Sequence, residues 1–210
     1  MSSTARIQGM SVQERKERER AHRHQLIVAA ARELAEAHGW DAVTTRRLSE
    51  RIEYSQPVLY SHFRGKREIV GAVALEGFTE LTATMREAVA NGPEGRAAVA
   101  ALAGAYLDFA ERNPALYDAM FLLDTGLPFA DEATPAPLRE GFETLLNTLG
   151  ALAGSAEPAL FVEVFWSALH GLVSLTRSGR LPRQEASRRL DVLVDRFAGR
   201  GCPDAHTRSC

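Results

Sequence analysis

An all-α fold of about nine helices is predicted for this chain, and three observations predict it. Apolar residues recur at steps of three and four along most of the length, which is the spacing of one helix face. Gly, Pro and Asn interrupt these runs where helices stop, at Gly39, Gly65, Asn91-Gly92-Pro93 and Asn113-Pro114. A chain of 210 residues holds a small module plus a second unit able to bury its own core. The expected order is a flexible arm over 1–19, a three-helix helix-turn-helix unit over 20–66, a C-terminal helical domain over 67–200 and a flexible tail over 201–210. A connecting helix over 66–91 joins the two parts.

Residues 1–19 offer little that can pack. The run 14–23 alternates Glu with Arg or Lys; it either extends the first helix as a solvated start or forms an arm reaching toward whatever the module binds. From Gln25 the residues Ile27, Ala30, Ala31 and Leu34 form one face, until Gly39 ends it. Trp40 and Val43 then cover the same small core. The stretch 44–66 describes two short helices across a tight turn. Thr44 caps the first, in which Leu48 and Ile52 share a face. Ser55 caps the second, Pro57 occupies its first turn, and Leu59 and Phe63 anchor it inward. Gln56, Val58, Tyr60 and His62 are left facing outward with Lys66 just behind, side chains suited to base edges, a thymine methyl or phosphate oxygens.

The span 66–91 reads as one long helix with Ile69, Val73, Phe78, Leu81, Met85 and Val89 inward. Another follows to Arg112 with Val99, Leu102, Tyr106 and Phe109, and a short one over 114–123, capped at Asn113, carries Leu116, Tyr117, Met120 and Phe121. Pro128, Pro135 and Pro137 mark 124–137 as a loop. Leu138, Phe142, Leu145, Leu149 and Leu152 then make a narrow seam, either core or partner-facing. The span 157–178 is apolar nearly all round, so it needs cover beyond its own core. The span 183–198 supplies one stripe: Ala186, Leu190, Leu193, Val194 and Phe197.

Charge is divided between the parts. Residues 1–70 carry 13 Lys and Arg against 9 Asp and Glu, and the remainder 12 against 18, so a positive end can face phosphate while an acidic end stays away. The only cysteines, Cys202 and Cys210, lie in the tail, which argues for no disulfide framework and for a reducing cytoplasm. Cys202, His206 and Cys210 match no common metal site, so no metal is expected. The apolar run 159–175 contains Glu163 and His170 and falls short of a comfortable membrane span, so a soluble protein with no membrane partner is expected. An enzyme using His170 with Glu163 lacks a nucleophile motif or phosphate loop beside them, so no catalytic residue is assigned.

The segment S-Q-P-V-L-Y-S-H-F-R-G-K-R-E, beginning at Ser55, resembles the recognition-helix signature of the TetR family. The similarity is close over residues 20–88 and is only a pattern of helices beyond. Glu53 stands where that family usually has Gly, and Tyr54 where a small aliphatic residue is usual. The resemblance implies a homodimer that binds an inverted-repeat operator in double-stranded DNA through Thr44, Thr45, Arg46, Ser55, Gln56, Pro57, Val58, Tyr60, His62 and Lys66. Among these, Thr45, Tyr60, His62 and Lys66 match phosphate-contacting positions, while Gln56 is suited to reading adenine. It also implies a small, largely apolar or aromatic effector, with candidate contacts Tyr106, Phe109, Tyr117, Met120, Phe121, Phe142, Phe165, Trp166 and His170, and no cofactor. The candidate dimer surface is Phe161, Leu169, Leu172, Val173, Leu190, Leu193, Val194 and Phe197. Trp166-x-x-x-His170-Gly171 resembles the W-H-G signature of one branch of the family's C-terminal domains. The reading is therefore a ligand-released repressor; an activator, or a ligand-independent or architectural DNA-binding protein with a packed interior, stays open.

Overall fold

The computed structural model describes residues 12–199. Among these residues there are nine α-helices and no strand. Three make the N-terminal module: α1 (Val12–His38), α2 (Thr45–Ile52) and α3 (Gln56–His62). The connecting helix α4 (Lys66–Ala88) leads to α5 (Gly95–Arg112), α6 (Pro114–Phe121), α7 (Ala136–Leu149), α8 (Pro158–Arg177) and α9 (Ala186–Phe197). Short 3-10 turns lie at Trp40–Ala42, Gly150–Ala153 and Arg183–Glu185.

The module forms because each helix brings one apolar face to a shared centre: Ile27, Ala31 and Leu34 from α1, Leu48 from α2, and Leu59 with Phe63 at the end of α3, all buried. Thr44 Oγ1 accepts from the Arg47 N–H at 3.2 Å and so starts α2. Ser55 stands at the N-cap of α3 without a side-chain cap bond, and its carbonyl accepts from the Val58 N–H at 3.0 Å. Glu53 ends α2 in the left-handed region, with φ 58° and ψ 32°. The part of 1–19 that lies within the described residues is helical, because α1 starts at Val12; pairs such as Gln13 with Glu17 and Arg23 with Glu19 support that extension. Residues 1–11 and the tail with its two cysteines and His206 lie outside the described residues.

The module is fixed to the second domain at the far end of α1. Glu36 accepts from the backbone N–H groups of Ala115 and Leu116 at 3.1 and 2.9 Å, capping α6 from another helix. Asn113 is thereby not the side-chain cap of α6; its amide donates to Phe109 O and its carbonyl accepts from Arg32. Arg32 also grips Glu80 of α4 by two bonds, at 2.5 and 2.9 Å. Trp40 is buried and donates its indole N–H to Ala115 O at 2.7 Å. These contacts join α1, α4 and α6.

In the second domain α4 packs on α5, α6 and α7, and α5 on α8 and α9. The seam on α7 faces the core: Leu138, Leu145 and Leu149 are buried and Phe142 half-buried. Pro137 belongs to α7's first turn, so the loop before it ends earlier than its prolines imply. The helix α8 spans 20 residues, longer than the apolar run within it, and its length and composition would let it cross a bilayer. Its Val162, Phe165, Leu169 and Val173 are instead buried in the bundle.

Candidate nucleic-acid interface and cavity

The outward side of α2 and α3 carries the candidate DNA contacts. Thr44, Arg46, Ser55, Gln56, Pro57 and Lys66 are exposed, Thr45, Val58 and His62 half-buried, and Tyr60 is 54% exposed despite its size. Arg46 forms an i,i+4 pair with Glu50 at 3.0 Å, a bond that a phosphate can replace. Lys66 donates to the Trp40 carbonyl, and an ammonium keeps two further donors for a phosphate. His62 sits at the end of α3 with its ring 6.5 Å from that of His24. Burial first, then the charges of Arg20, His24 and Arg23, hold its pKa below the ordinary value. None of the ten residues is buried.

Between α6, the loop that follows it and α8 lies an open cavity of about 480 Å³. Met120 and Phe121 of α6, Leu123 and Phe129 of the following loop, and Trp166, Ser167, His170 and Gly171 of α8 line it. Four of the candidate effector residues, Met120, Phe121, Trp166 and His170, are thus brought together. Tyr106 and Tyr117 stand one layer deeper and connect to them. Phe109, Phe142 and Phe165 do not line the cavity: Phe109 and Phe165 are buried elsewhere in the core, Phe165 against Phe197 at 5.1 Å, and Phe142 belongs to α7. Aromatic type alone could not separate Phe165 from Trp166, because one residue of helix turns a side chain by 100°. Leu123 and Phe129 were missed because a loop has no periodicity to read. Gly171 was named only within the W-H-G resemblance and was not assigned to the site.

A polar row crosses the cavity floor. The Trp166 indole N–H donates to Tyr106 Oη at 3.2 Å, the Tyr106 and Tyr117 hydroxyls are 2.8 Å apart, and Tyr117 Oη lies 2.7 Å from His170 Nδ1. One tautomer satisfies the row. With the proton on His170 Nε2, Tyr117 donates to Nδ1 and Tyr106 donates to Tyr117, so every donor in the sequence has an acceptor. The opposite tautomer would send both Tyr117 and Trp166 protons to Tyr106 and leave a hydroxyl proton without an acceptor in a residue that is 1% exposed. Burial lowers the His170 pKa, which favours the same neutral ring, and pushes Tyr106 up to about 12 and Tyr117 still further. Asp, Glu, Lys and Arg are absent from the described cavity wall. The wall is apolar with a neutral hydrogen-bonding edge.

The candidate dimer residues divide in the same way. Leu169, Val173, Leu193 and Val194 are buried within the single chain, so they do not belong to an open surface. Phe161 meets Phe197 edge-to-face at 5.3 Å and is half-buried with it, as are Leu172 and Leu190. The open apolar positions are Leu160, Val164 and Leu175 on α8 and Val192 on α9, between 42% and 61% exposed. An all-round apolar helix does not disclose from sequence which side its own chain covers.

Residues 27–73 match the family model for bacterial regulatory proteins of the tetR family, and residues 99–197 the model for a tetracyclin repressor-like C-terminal domain. An uncharacterized HTH-type transcriptional regulator of Bacillus subtilis, YobS, is 37% identical over 97 residues, 46% of this chain and half of that protein's length. A second, Rv0681 of Mycobacterium tuberculosis, is 29% identical over 154 residues, covering 73% of this chain and 69% of its own. A solved Rhodococcus sp. RHA1 protein of unknown function shares the fold with a TM-score of 0.70 at 23% identity, over 93% of this chain and 97% of that one. The two matched domains, in this order and on this fold, show that the chain belongs to the TetR family of DNA-binding transcriptional regulators.

Proposed function

We propose that the protein is a homodimeric cytoplasmic repressor that binds a palindromic operator through α3 and leaves it when a small uncharged aromatic molecule enters the α6–α8 cavity. The observation that carries this reading is the direct seat of the cavity wall on the connecting helix. A Cβ at Gly77 of α4 would lie 2.6 Å from Met120 Sδ and 2.8 Å from Leu116 Cδ1, so α6 rests on the bare backbone of α4. The loop after α6 reaches α4 as well: Asp124 pairs with Arg67 at 2.8 Å, next to Lys66. A ligand that displaces Met120 or the Leu123–Phe129 edge thus acts on the helix that follows the reader. It releases DNA only by as much as its affinity differs between the two positions of α4.

A cavity of this volume is within the range of small-molecule sites. Its presence favours the ligand-responsive reading over a protein with a fully packed interior. An uncharged occupant follows from a wall with no counter-ion and a histidine held neutral. The second copy follows from reading chemistry, since one short helix contacts too few base pairs, and a two-fold pair places its readers about 34–36 Å apart. Leu160, Val164 and Leu175 recur at four-residue and longer helical steps on the open side of α8.

The test is selection of duplexes from a random pool by the wild type and by a Tyr60→Ala, Lys66→Ala double variant. Inverted repeats enriched by the first and lost by the second are expected; equal binding by both would remove α3 as the reader. The enriched duplex then serves to screen neutral aromatic compounds for release, which Leu123→Trp should block by filling the cavity.

A further inference from the structure

The helix α1 begins at Val12, whereas the family's shared N-terminal domain is matched only from residue 27. Its first half lies ahead of that match, and its position follows from the contacts already described. The C-terminal end of α1 is tied to α6 through Glu36, so the N-terminal end projects from the opposite end of the module. His24 marks where it passes the reader: its ring lies 4.6 Å from Phe63 and 6.5 Å from His62, at the end of α3. Upstream of that level the helix continues for twelve residues, about 18 Å.

The side chains on this extension are ordered. Following the core face of α1 backwards from Leu34, Ala31 and Ile27 at steps of three and four leads to His24 and Arg23, then Arg20, then Lys16. The stripe is apolar where α1 packs on the module and basic where it has run past it. Lys16 and Arg20 are exposed, and Arg23 and His24 half-buried. The flanking acids are held to the sides, Glu17 accepting from Gln13 at 2.9 Å and Glu19 paired with Arg23 at 3.2 Å.

We propose that Lys16 and Arg20, with Arg23 and His24 behind them, form a second DNA-binding element that grips the phosphate backbone beside the segment read by α3. The partner is duplex DNA, recognised by charge and without base preference. That Arg20 and Arg23 act on His62 electrostatically places their charges near the reading helix in the free protein. Docking of the rear half of α1 keeps the front half helical, so the cations are presented on a rod and lose less freedom on binding than a loose tail would.

The inference rests on α3 being the reader, and the experiment separates the two. Binding to the selected operator and to a scrambled duplex is measured against salt for the wild type, a Lys16→Ala, Arg20→Ala variant and an Arg15→Ala control, Arg15 lying off the stripe. Each lost phosphate contact removes about 0.9 from the slope of log K against log salt, so the double variant should lose about 2 per protomer. Its affinity should fall at least tenfold for both duplexes alike, and hydroxyl-radical protection should shrink on one backbone segment of each half-site. Lys16→Arg with Arg20→Lys should retain the wild-type slope, and circular dichroism should show α1 intact in all variants. An unchanged slope in the double variant, with the wild type binding its operator, overturns this inference alone. A loss of slope equal to that of Arg15→Ala also overturns it, and a wild type that binds no duplex overturns the reader as well.

Discussion

Glu53 is held at φ 58° between α2 and α3, where a side chain costs about 1 kcal/mol that glycine avoids. Glycine also gains entropy in the unfolded chain, which offsets part of that saving. Glu53→Gly should therefore leave the melting temperature unchanged or raise it slightly, and a clear fall in a thermal melt would contradict the strain. His170 gives a pH-dependent counterpart. Burial holds its folded pKa below 6.5, so on acidification the unfolded chain takes up the proton first. Its contribution to stability is present above about 6.5 and is lost as pH falls through the lower folded value. Urea melts at pH 7.5 and 5.5 should show a smaller acid-side loss for His170→Asn than for the wild type, with His62 supplying a remainder of the same sign. Glu53 was legible from its place where the resembled family usually has Gly, since the turn it occupies is local; the bonds of His170 span 53 residues to Tyr117 and were not.

Between elements, the proposed coupling of cavity to reader runs through the contact of α4 with α6. Alanine at Gly77 would favour the helix by up to about 1 kcal/mol. It would also overpack Met120 and Leu116, which costs about 1–3 kcal/mol, less where a flexible methionine yields. Gly77→Ala should therefore lower stability by about 1 kcal/mol and push Met120 into the cavity, weakening any ligand found there. A melt and a ligand titration check both, and unchanged affinity would remove Met120 as the coupling residue. The start of α4 was readable to the residue, because Gly65 and Lys66 are local signals. Its close approach to α6 was not, since a helical glycine carries no mark of what it faces. The cap of α6 shows the same limit: Asn113 occupied the expected place, but Glu36, from a helix 79 residues away, made the bonds.

At the scale of the molecule, the open stripe of α8 is the surface on which the proposed second copy depends. Val164 is 60% exposed in the single chain, so Val164→Asp costs that chain little. In a dimer the same carboxylate would be buried without a partner, at a cost of several kcal/mol. The variant should stay folded, run as a monomer in light scattering and lose operator affinity by orders of magnitude; a dimer of unchanged stability would move the interface elsewhere.

The all-α class, the helix order and the outward side of α2 and α3 were determined by sequence alone, because periodicity, caps and the turn after α2 act over a few residues. The ten candidate DNA residues are left exposed or half-buried, since two short helices joined by a tight turn have little freedom in which sides they show. The cavity and the open side of α8 were decided only by tertiary packing. Phe165 and Trp166 are neighbours in sequence and both were candidates for a ligand, and Leu169 was a candidate for a partner where Val164, which is exposed, was not. Which of each pair faces inward depends on where α5, α6 and α9 come to rest, a balance of burial summed over distant residues that no local pattern encodes.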